Sequence, residues 1–427
     1  MVGNHVTHPT FIKFVYNIKK LMLQSHLSYL KFFGLLFSIL LFSVATFNSL
    51  IDPFGKYQFI KMAGINSEKT QVEILGLRTI KAIGLLGADY QAVILGTSRA
   101  NNAINPTHAA FQKIGATYNA SLTGTNIYEL EKVFDYILKH HRHLKEMVFS
   151  LDFLTFSSRR TINADFEQSM FSEHYSIWTK LSGTFSLDEM YYAIKTISDN
   201  VAKKRAAYHA ILTEQGFANK QFPLPHHQLF INILRKNFFV NKNTYAGFCY
   251  SQDRLHRFQR MLEKSRQRGI SVKLFISPVH AWQLEALRIM GLYPTFEQWK
   301  RDLVAILAKD AAQHPDKPIY PLWDFTGYNS ITTETIPVKP TQQMQWYWES
   351  SHFKKEVGDL VLDKLFDYQA LGRVIPDDFG ILINRNNIEA HLQKLLQEQQ
   401  QYHQTHPQDV MKIKTLAKQV MVKIPCP

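Results

Sequence analysis

A run of 20 residues without a charged side chain, Phe32 to Ile51, constrains this chain more than any other stretch. Lys31 comes directly before the run and Asp52 directly after it. Twenty apolar residues in a helix extend about 30 Å, which is the thickness of the hydrocarbon core of a bilayer. We therefore predict one membrane-spanning helix at 32–51, since no other stretch approaches this length.

Charge around the run predicts its orientation. Residues 1–31 contain four lysines and no acidic residue, so the positive-inside rule predicts that this end stays in the cytoplasm and that everything after Ile51 lies outside. A cleaved signal peptide is the competing interpretation. The long basic segment, the long apolar core and the lack of an A-x-A pattern after it favour an uncleaved anchor.

The chain has a net charge of +14, which raises the question of nucleic-acid binding. Its basic residues are spread out, with a dense cluster only at Lys203, Lys204 and Arg205, so we expect no nucleic-acid partner. Two cysteines, Cys249 and Cys426, are too few for a disulfide framework or a zinc site of usual spacing, and we expect no metal or cofactor. The sequence leaves open whether they form one disulfide.

The segment VILGTSRANN at 93–102 is the first place to look for chemistry. Gln91–Leu95 is typical of a buried strand, and Gly96 follows where the backbone turns. Thr107–Lys113, preceded by Asn and Pro, is predicted as a short helix. Ser98 would then lie at the carboxyl end of a strand, where open α/β sheets tend to carry their sites. The alternative is an ordinary strand-to-helix turn.

Strand and helix patterns alternate along the rest of the chain, which predicts an α/β fold with a mostly parallel sheet. Further strands are predicted at Thr117–Ala120, Met147–Leu151, Val272–Ser277 and Ile319–Trp323. Helices are predicted at Ile127–His143, Asp253–Arg268, Phe296–Ala312 and Glu356–Phe366.

These elements divide the chain into regions. Residues 52–87 are a juxtamembrane connector, and 88–370 are the α/β domain. Within that domain, 155–248 is predicted as a mainly helical insertion without a clear strand, plausible as a lid or recognition region. Residues 371–427 are predicted as a helical carboxyl-terminal tail.

A serine becomes a nucleophile when a base takes its proton and an acid orients that base. His352 lies in a loop before a predicted helix, and Glu349 precedes it by three residues, a spacing that lets the carboxylate reach the far ring nitrogen. Asp324 is a second candidate for the orienting acid. His280 is a rival base.

A GxSx segment after the first strand, with a late acid-x-x-His loop before the last helix, resembles the SGNH hydrolase superfamily, also called GDSL-like. The resemblance covers about residues 88–370 and implies a flavodoxin-like, doubly wound sheet. With its single amino-terminal span, the chain is similar in arrangement to bacterial cell-envelope members that act in teichoic-acid D-alanylation and alginate O-acetylation.

The resemblance also implies site roles. Ser98 would be the nucleophile, His352 the general base and Glu349 the orienting acid, where the family more often has Asp. Backbone N–H groups of Ser98 or Arg99, and of Gly124, would form the oxyanion hole. The family usually adds an Asn side chain from a third block.

At the third-block position this chain has Asp152, whose charge would oppose an oxyanion. Either another residue such as Asn126 substitutes for the Asn, or turnover is weak. Arg99 either binds an acidic polymer or pairs with a neighbouring acid. Trp348, within the run Trp346 to Trp348, either stacks on sugars or packs internally.

The function implied is a periplasmic O-acyl esterase or acyltransferase of the bacterial inner membrane, acting on a cell-envelope glycan or lipid. The alternative is an inactive accessory or scaffold subunit that works with a membrane-bound acyltransferase.

Overall fold

The structure, a computed structural model, describes residues 9–57, 59–72, 76–202, 211–219, 222 and 225–426. They form two compact units. The first comprises Met1–Lys69 and Ser176–Lys203, and the second comprises Thr70–Tyr175 and Lys204–Pro427. The basic cluster at 203–205 lies outside the described residues.

The α-helices are α1 (Pro9–Ile51), α2 (Leu77–Leu85), α3 (Ser98–Ala103), α4 (Ile127–His140), α5 (Ile177–Thr184), α6 (Leu187–Val201), α7 (His226–Ile233), α8 (Gln252–Gln267), α9 (Ala281–Ile289), α10 (Tyr293–Gln313), α11 (Lys355–Phe366), α12 (Ile388–Thr405) and α13 (Pro407–Val420). The strands are β1 (Ala92–Leu95), β2 (Thr117–Asn119), β3 (Glu146–Leu151), β4 (Ile211–Leu212), β5 (Ala218–Asn219), β6 (Ser271–Ile276), β7 (Leu322–Asp324) and β8 (Ile381–Ile383).

In the first unit, α1 is a single helix of 43 residues that ends with the predicted span. Within the described part of the chain it is the one helix long and apolar enough to cross a membrane. The predicted helix at 32–51 is therefore confirmed as a helix of sufficient length and apolarity. Its orientation stays a prediction.

The second unit is built on a six-stranded sheet with the order β2-β1-β3-β6-β7-β8. The first five strands are parallel, and β8 is antiparallel to β7. This confirms the predicted α/β fold with a mostly parallel sheet. Every residue of β1 and β3 is buried, which explains why β1 is a continuous apolar run and why β3 is apolar except at Glu146 and Ser150.

The region 155–248 differs from the prediction in two ways. It contains an antiparallel hairpin of β4 and β5, whose two-residue strands are too short to produce a recognisable period. It is also divided, because Ser176–Lys203 belongs to the first unit and the remainder to the second.

Residues 371–427 form part of the second unit and do not stand apart as a tail. Strand β8 extends the sheet at its β7 edge. Cys426 forms a disulfide with Cys249, across a sequence separation of 177 residues. The sheet and the covalent bond thus tie the carboxyl-terminal segment to the α/β domain.

Candidate active site

Ser98 is the first residue of α3, directly beyond the carboxyl end of β1. The turn requires Gly96, because a Cβ there would lie 2.7 Å from Cβ of Ser150 and 2.9 Å from Cβ of Ala100. The Thr97 side chain caps the helix by accepting the Arg99 N–H at 3.3 Å. The helix therefore starts at Ser98 itself, and the helix expected at 107–113 is only a 3₁₀ turn at Ala109–Phe111.

Ser98, His352 and Glu349 form one hydrogen-bonded chain. The Ser98 Oγ lies 2.8 Å from Nε2 of His352, and the His352 Nδ1 bonds to Oε1 of Glu349. Because Nδ1–H donates to the carboxylate, Nε2 is free to accept the Ser98 hydroxyl proton. Glu349 is fully buried, whereas 17% of the His352 side chain is exposed. The base thus faces solvent and the acid does not.

Backbone contacts hold the loop that carries Glu349 and His352. The Ser351 N–H donates to Oε2 of Glu349 at 2.7 Å, so both carboxylate oxygens are engaged. The Trp348 N–H donates to the His352 carbonyl at 2.9 Å, which closes the loop across Glu349. The His280 N–H donates to the Ser350 carbonyl at 3.0 Å. These bonds fix the imidazole relative to the sheet.

His280, the rival base, is a structural residue. It caps α9 through Nδ1, which accepts the Trp282 N–H at 3.2 Å, and its Nε2 donates to the Glu334 carbonyl at 2.8 Å. Burial lowers the pKa of His280 to about 4. Both ring nitrogens are occupied, so we do not assign it the role of base.

Asp324, the second candidate acid, pairs with other partners. Its Oδ2 lies 2.7 Å from the Lys300 Nζ and 2.8 Å from the His391 Nε2. Burial alone would raise the pKa of Asp324, but the charge of Lys300 and the His391 hydrogen bond lower it overall. This buried cluster anchors α12 to β7 and leaves Glu349 as the acid bonded to His352.

Arg99 pairs with Asp152, which removes the conflict expected at the third-block position. Asp152 is buried, with Oδ1 on the Arg99 guanidinium and Oδ2 on the Thr97 hydroxyl. Burial alone would lower the pKa of Arg99, but the Asp152 carboxylate raises it overall. The charge of Asp152 is thus balanced by Arg99 and held by the turn that carries Ser98.

Arg99 also connects this turn to the histidine loop. Its Nε donates to the Ser351 carbonyl at 2.8 Å, and a terminal nitrogen donates to Oε1 of Gln283 at 3.2 Å. The same Gln283 oxygen accepts the Ser351 hydroxyl at 2.8 Å. Of the two interpretations of Arg99, the structure supports internal pairing.

Two backbone N–H groups remain oxyanion-hole candidates. The Ser98 N–H, at the start of α3, has no acceptor among the described residues. The loop with Gly124 runs beside the Ser98 turn, since the Leu122 N–H donates to the Gly96 carbonyl at 3.0 Å. Gly124 has φ +70°, a conformation suited to glycine.

Asn126 has a different role. It caps α4 by accepting the Glu129 N–H at 3.0 Å, and its amide donates to the Arg160 carbonyl at 3.0 Å. Arg160 and Asn163 in turn donate to the Gly124 carbonyl. Asn126 therefore supports the Gly124 loop, and we leave it out of the proposed oxyanion hole.

Aromatic side chains form one wall of the site. Phe222 packs against both His352 and Trp348, with ring centroids 5.5 Å and 5.7 Å away. The Lys354 Nζ lies 4.4 Å from the Trp348 ring centroid. His226, in the predicted insertion, is buried, and its Nδ1 bonds to the Trp348 carbonyl at 2.9 Å. Phe222 and His226 show that part of the insertion reaches the site.

The described residues contain no group of three His, Cys, Asp or Glu side chains able to hold a metal ion. Two surface cavities, of about 350 and 400 Å³, lie where α4 and α8 end, at the amino ends of β3 and β6. Ser98 is at the opposite, carboxyl edge of the sheet, and these cavities are not part of its site.

Comparisons with known proteins found no family model that matches this chain and no curated protein with significant similarity to it. The functional interpretation therefore depends on the geometry of the site.

Proposed function

We propose that this protein is an SGNH-type serine esterase or O-acyltransferase that acts on a cell-envelope glycan or lipid. The observation that carries the proposal is the hydrogen-bonded chain Ser98–His352–Glu349 at the carboxyl edge of a parallel sheet. A serine bonded to the Nε2 of a histidine whose Nδ1 is bonded to a buried acid has the arrangement of an activated nucleophile.

The order of the elements supports the SGNH assignment. Apart from the β4–β5 hairpin, the first five strands follow the order 2-1-3-4-5 of flavodoxin-like sheets. Ser98 follows the first strand, Gly124 the second and Asp152 the third. Glu349 and His352 come after β7 and directly before α11. This order of the candidate site residues along the chain supports the proposal.

In the proposed reaction, Ser98 Oγ bonds to the acyl carbonyl carbon while its proton passes to Nε2 of His352. Glu349 keeps Nδ1–H oriented and stabilises the imidazolium. When the tetrahedral intermediate collapses, the leaving oxygen takes the proton from Nε2, which yields the acyl-enzyme. Water or a sugar hydroxyl then attacks this ester and gives its proton to Nε2 of His352. Collapse of the second tetrahedral intermediate breaks the bond to Ser98, and Nε2 returns the proton to the Ser98 Oγ.

The carbonyl oxygen becomes negative in the intermediate and needs hydrogen-bond donors. We assign the Ser98 N–H and the Gly124 N–H to this task, since one starts α3 and the other lies in the adjoining loop. Removing one oxyanion-hole donor typically lowers the rate about 100-fold to 1,000-fold.

Export of the domain fits three observations. The amino-terminal helix is long and apolar enough to span a membrane, and residues 1–31 have only basic charges. The Cys249–Cys426 disulfide is of a kind that persists in oxidising compartments such as the periplasm. We therefore propose a bacterial inner-membrane anchor with the α/β domain in the periplasm.

A second function, that of an inactive accessory subunit of a membrane acyltransferase, is favoured by one observation. Asp152 stands where the family has an oxyanion-hole Asn, and its side chain is fully engaged by Arg99 and Thr97. The site then has two backbone donors without a side-chain donor, which suits weak turnover or none.

Fluorophosphonate labelling of the full-length protein in detergent separates the two functions. An active serine predicts labelling and hydrolysis of p-nitrophenyl acetate, both abolished by Ser98→Ala. Ser158→Ala is the matched control, because Ser158 is exposed and its hydroxyl donates to the Cys249 carbonyl at 3.3 Å, not to His352. Labelling that persists in Ser98→Ala overturns the nucleophile assignment. A folded wild-type protein that never labels supports the accessory role.

A further inference from the structure

Helix α6 in the first unit presents an apolar stripe to the outside. Leu187, Tyr191, Ile194 and Val201 share one face by their spacing of four, three and seven residues, and each is more than half exposed. The opposite face carries Glu189 and three other buried residues. An amphipathic helix normally buries its apolar stripe, whereas the described residues leave this one uncovered.

Helix α5, in the same unit, also exposes apolar side chains. Ile177 and Trp178 are exposed, and 75% of the Trp178 surface is accessible. We call these six residues the outward apolar face: Ile177, Trp178, Leu187, Tyr191, Ile194 and Val201.

The turn between α5 and α6 contacts α1 inside its charge-free run. Phe185 packs against Phe42 with ring centroids 6.2 Å apart. Phe42 precedes the end of the run, Ile51, by nine residues, which corresponds to about 13 Å along a helix. Contacts of this turn therefore begin well inside the segment that spans the bilayer.

A buried asparagine of α1, nearer the end of the run than Phe42, donates hydrogen bonds to two carbonyls at this turn. The Asn48 amide donates to the Thr184 carbonyl at 2.8 Å and to the Ser186 carbonyl at 3.0 Å. Asn48 lies three residues before the end of the apolar run and is fully buried. Carbonyls at a helix end cannot find water in a bilayer, and a neighbouring helix that bonds them removes this cost.

We propose that α5 and α6 lie in the membrane–water interface of the leaflet from which the carboxyl end of α1 emerges, with the outward apolar face against lipid acyl chains. Trp178 and Tyr191 are residues of the type enriched at that level. Asp188 and Lys195 are exposed beside the stripe, as headgroup contact requires. We assign lipid to this face because the α5–α6 turn packs on the charge-free run of α1, which is the segment predicted to span the bilayer.

Acyl-chain quenching of tryptophan fluorescence tests this proposal on the full-length protein in nanodiscs. Phosphatidylcholine brominated in its acyl chains should quench part of the wild-type emission relative to unbrominated lipid. Trp178→Phe should remove most of that difference, whereas the control Trp346→Phe should retain it. Because Trp178 is largely exposed, we expect its replacement by the smaller Phe to leave the fold intact. Equal quenching of wild type and Trp178→Phe overturns the proposal.

A photocross-linker distinguishes lipid from a protein partner. With Tyr191 replaced by benzoylphenylalanine, irradiation in native membranes should give adducts with lipid. Adducts with another polypeptide as the main product would overturn the proposal in favour of a protein docking surface.

Discussion

The Nε2 atom of His352 lies 2.8 Å from the Oγ atom of Ser98, although the two residues are 254 positions apart in the sequence. The contact joins the turn after β1 to the loop before α11. The helix that begins at Ser98, α3, also packs on α11, the helix that follows His352. Gly358 of α11 makes this close approach possible, since a Cβ there would lie 1.9 Å from the Ala103 carbonyl oxygen.

Replacement of Glu349 by Gln should lower esterase turnover about 1,000-fold to 10,000-fold. The amide keeps the size of the side chain but cannot stabilise the imidazolium formed at His352. The rate of p-nitrophenyl acetate hydrolysis measures the effect.

A double variant provides the control. Residues that act as a unit are not additive, so Ser98→Ala with Glu349→Gln should be no slower than Ser98→Ala alone. Losses that multiply would mean that Glu349 acts independently of the serine.

Replacement of Arg99 by Lys should lower kcat about 10-fold to 100-fold with little change in KM. Lysine keeps the charge beside Asp152 but cannot also donate to the Ser351 carbonyl and Gln283 from a planar group. Loosening of the histidine loop relative to Ser98 then costs rate, because misplacement by about 1 Å can cost about 100-fold. Steady-state kinetics measure this.

Arg268→Lys is the matched control, since Arg268 is exposed at the end of α8. If Arg99→Lys raised KM with kcat unchanged, Arg99 would act in substrate binding rather than in positioning the loop.

Local signals in the sequence predicted the parallel part of the sheet, whereas the choice of Ser98, His352 and Glu349 over rival residues also needed the family resemblance. Ser98 ends an apolar strand, and Glu349 and His352 are close enough in sequence to bond to each other. The partners of Arg99 and Asp324 could not be predicted in the same way, because they come from distant elements that only the fold brings together. A signal for the Arg99–Asp152 pair does exist: both follow neighbouring parallel strands.

Three other features of the structure could not be predicted from local sequence patterns. Strand β8 has three residues and comes after a long loop, so periodicity cannot identify it. Phe222 is a single aromatic residue in an irregular stretch, and its place against His352 depends on tertiary packing. The β1-to-α3 turn was predicted in position but not in length, since Thr97 rather than a later residue caps the helix.

Stability should depend on pH through His280. Burial lowers the pKa of His280 from 6.5 to about 4, so between these values the unfolded chain binds a proton that the folded chain does not. Folding stability should therefore fall as the pH is lowered from about 6.5 toward 4, by at most roughly 3 kcal/mol. Thermal unfolding in detergent at several pH values measures this dependence.

His280→Asn separates this residue from the other histidines. Asparagine retains a helix-capping acceptor for the Trp282 N–H but does not titrate. Its stability should change less with pH than that of the wild type. Equal pH dependence in the two proteins would contradict the assignment.

Replacement of Lys300 by Met should destabilise the protein by about 3–5 kcal/mol, because it leaves the buried Asp324 carboxylate without its cation. Thermal unfolding measures the loss. Adding Asp324→Asn should recover part of the stability, since it removes the uncompensated charge. A double variant as unstable as Lys300→Met alone would show that packing of the lysine stem, rather than charge, is decisive.

Cys249 and Cys426 should be oxidised in cells that express the full-length protein. The bridge closes a loop of 177 residues, and loop-closure entropy alone corresponds to about 5 kcal/mol of stabilisation as an upper value. A maleimide–polyethylene glycol reagent, added to acid-quenched and denatured cells, should shift the protein on a gel only after reduction. Replacing both cysteines by Ser should abolish the shift and lower the unfolding temperature. Labelling without reduction would place the domain in a reducing compartment, because free thiolates persist there, and would contradict export to the periplasm.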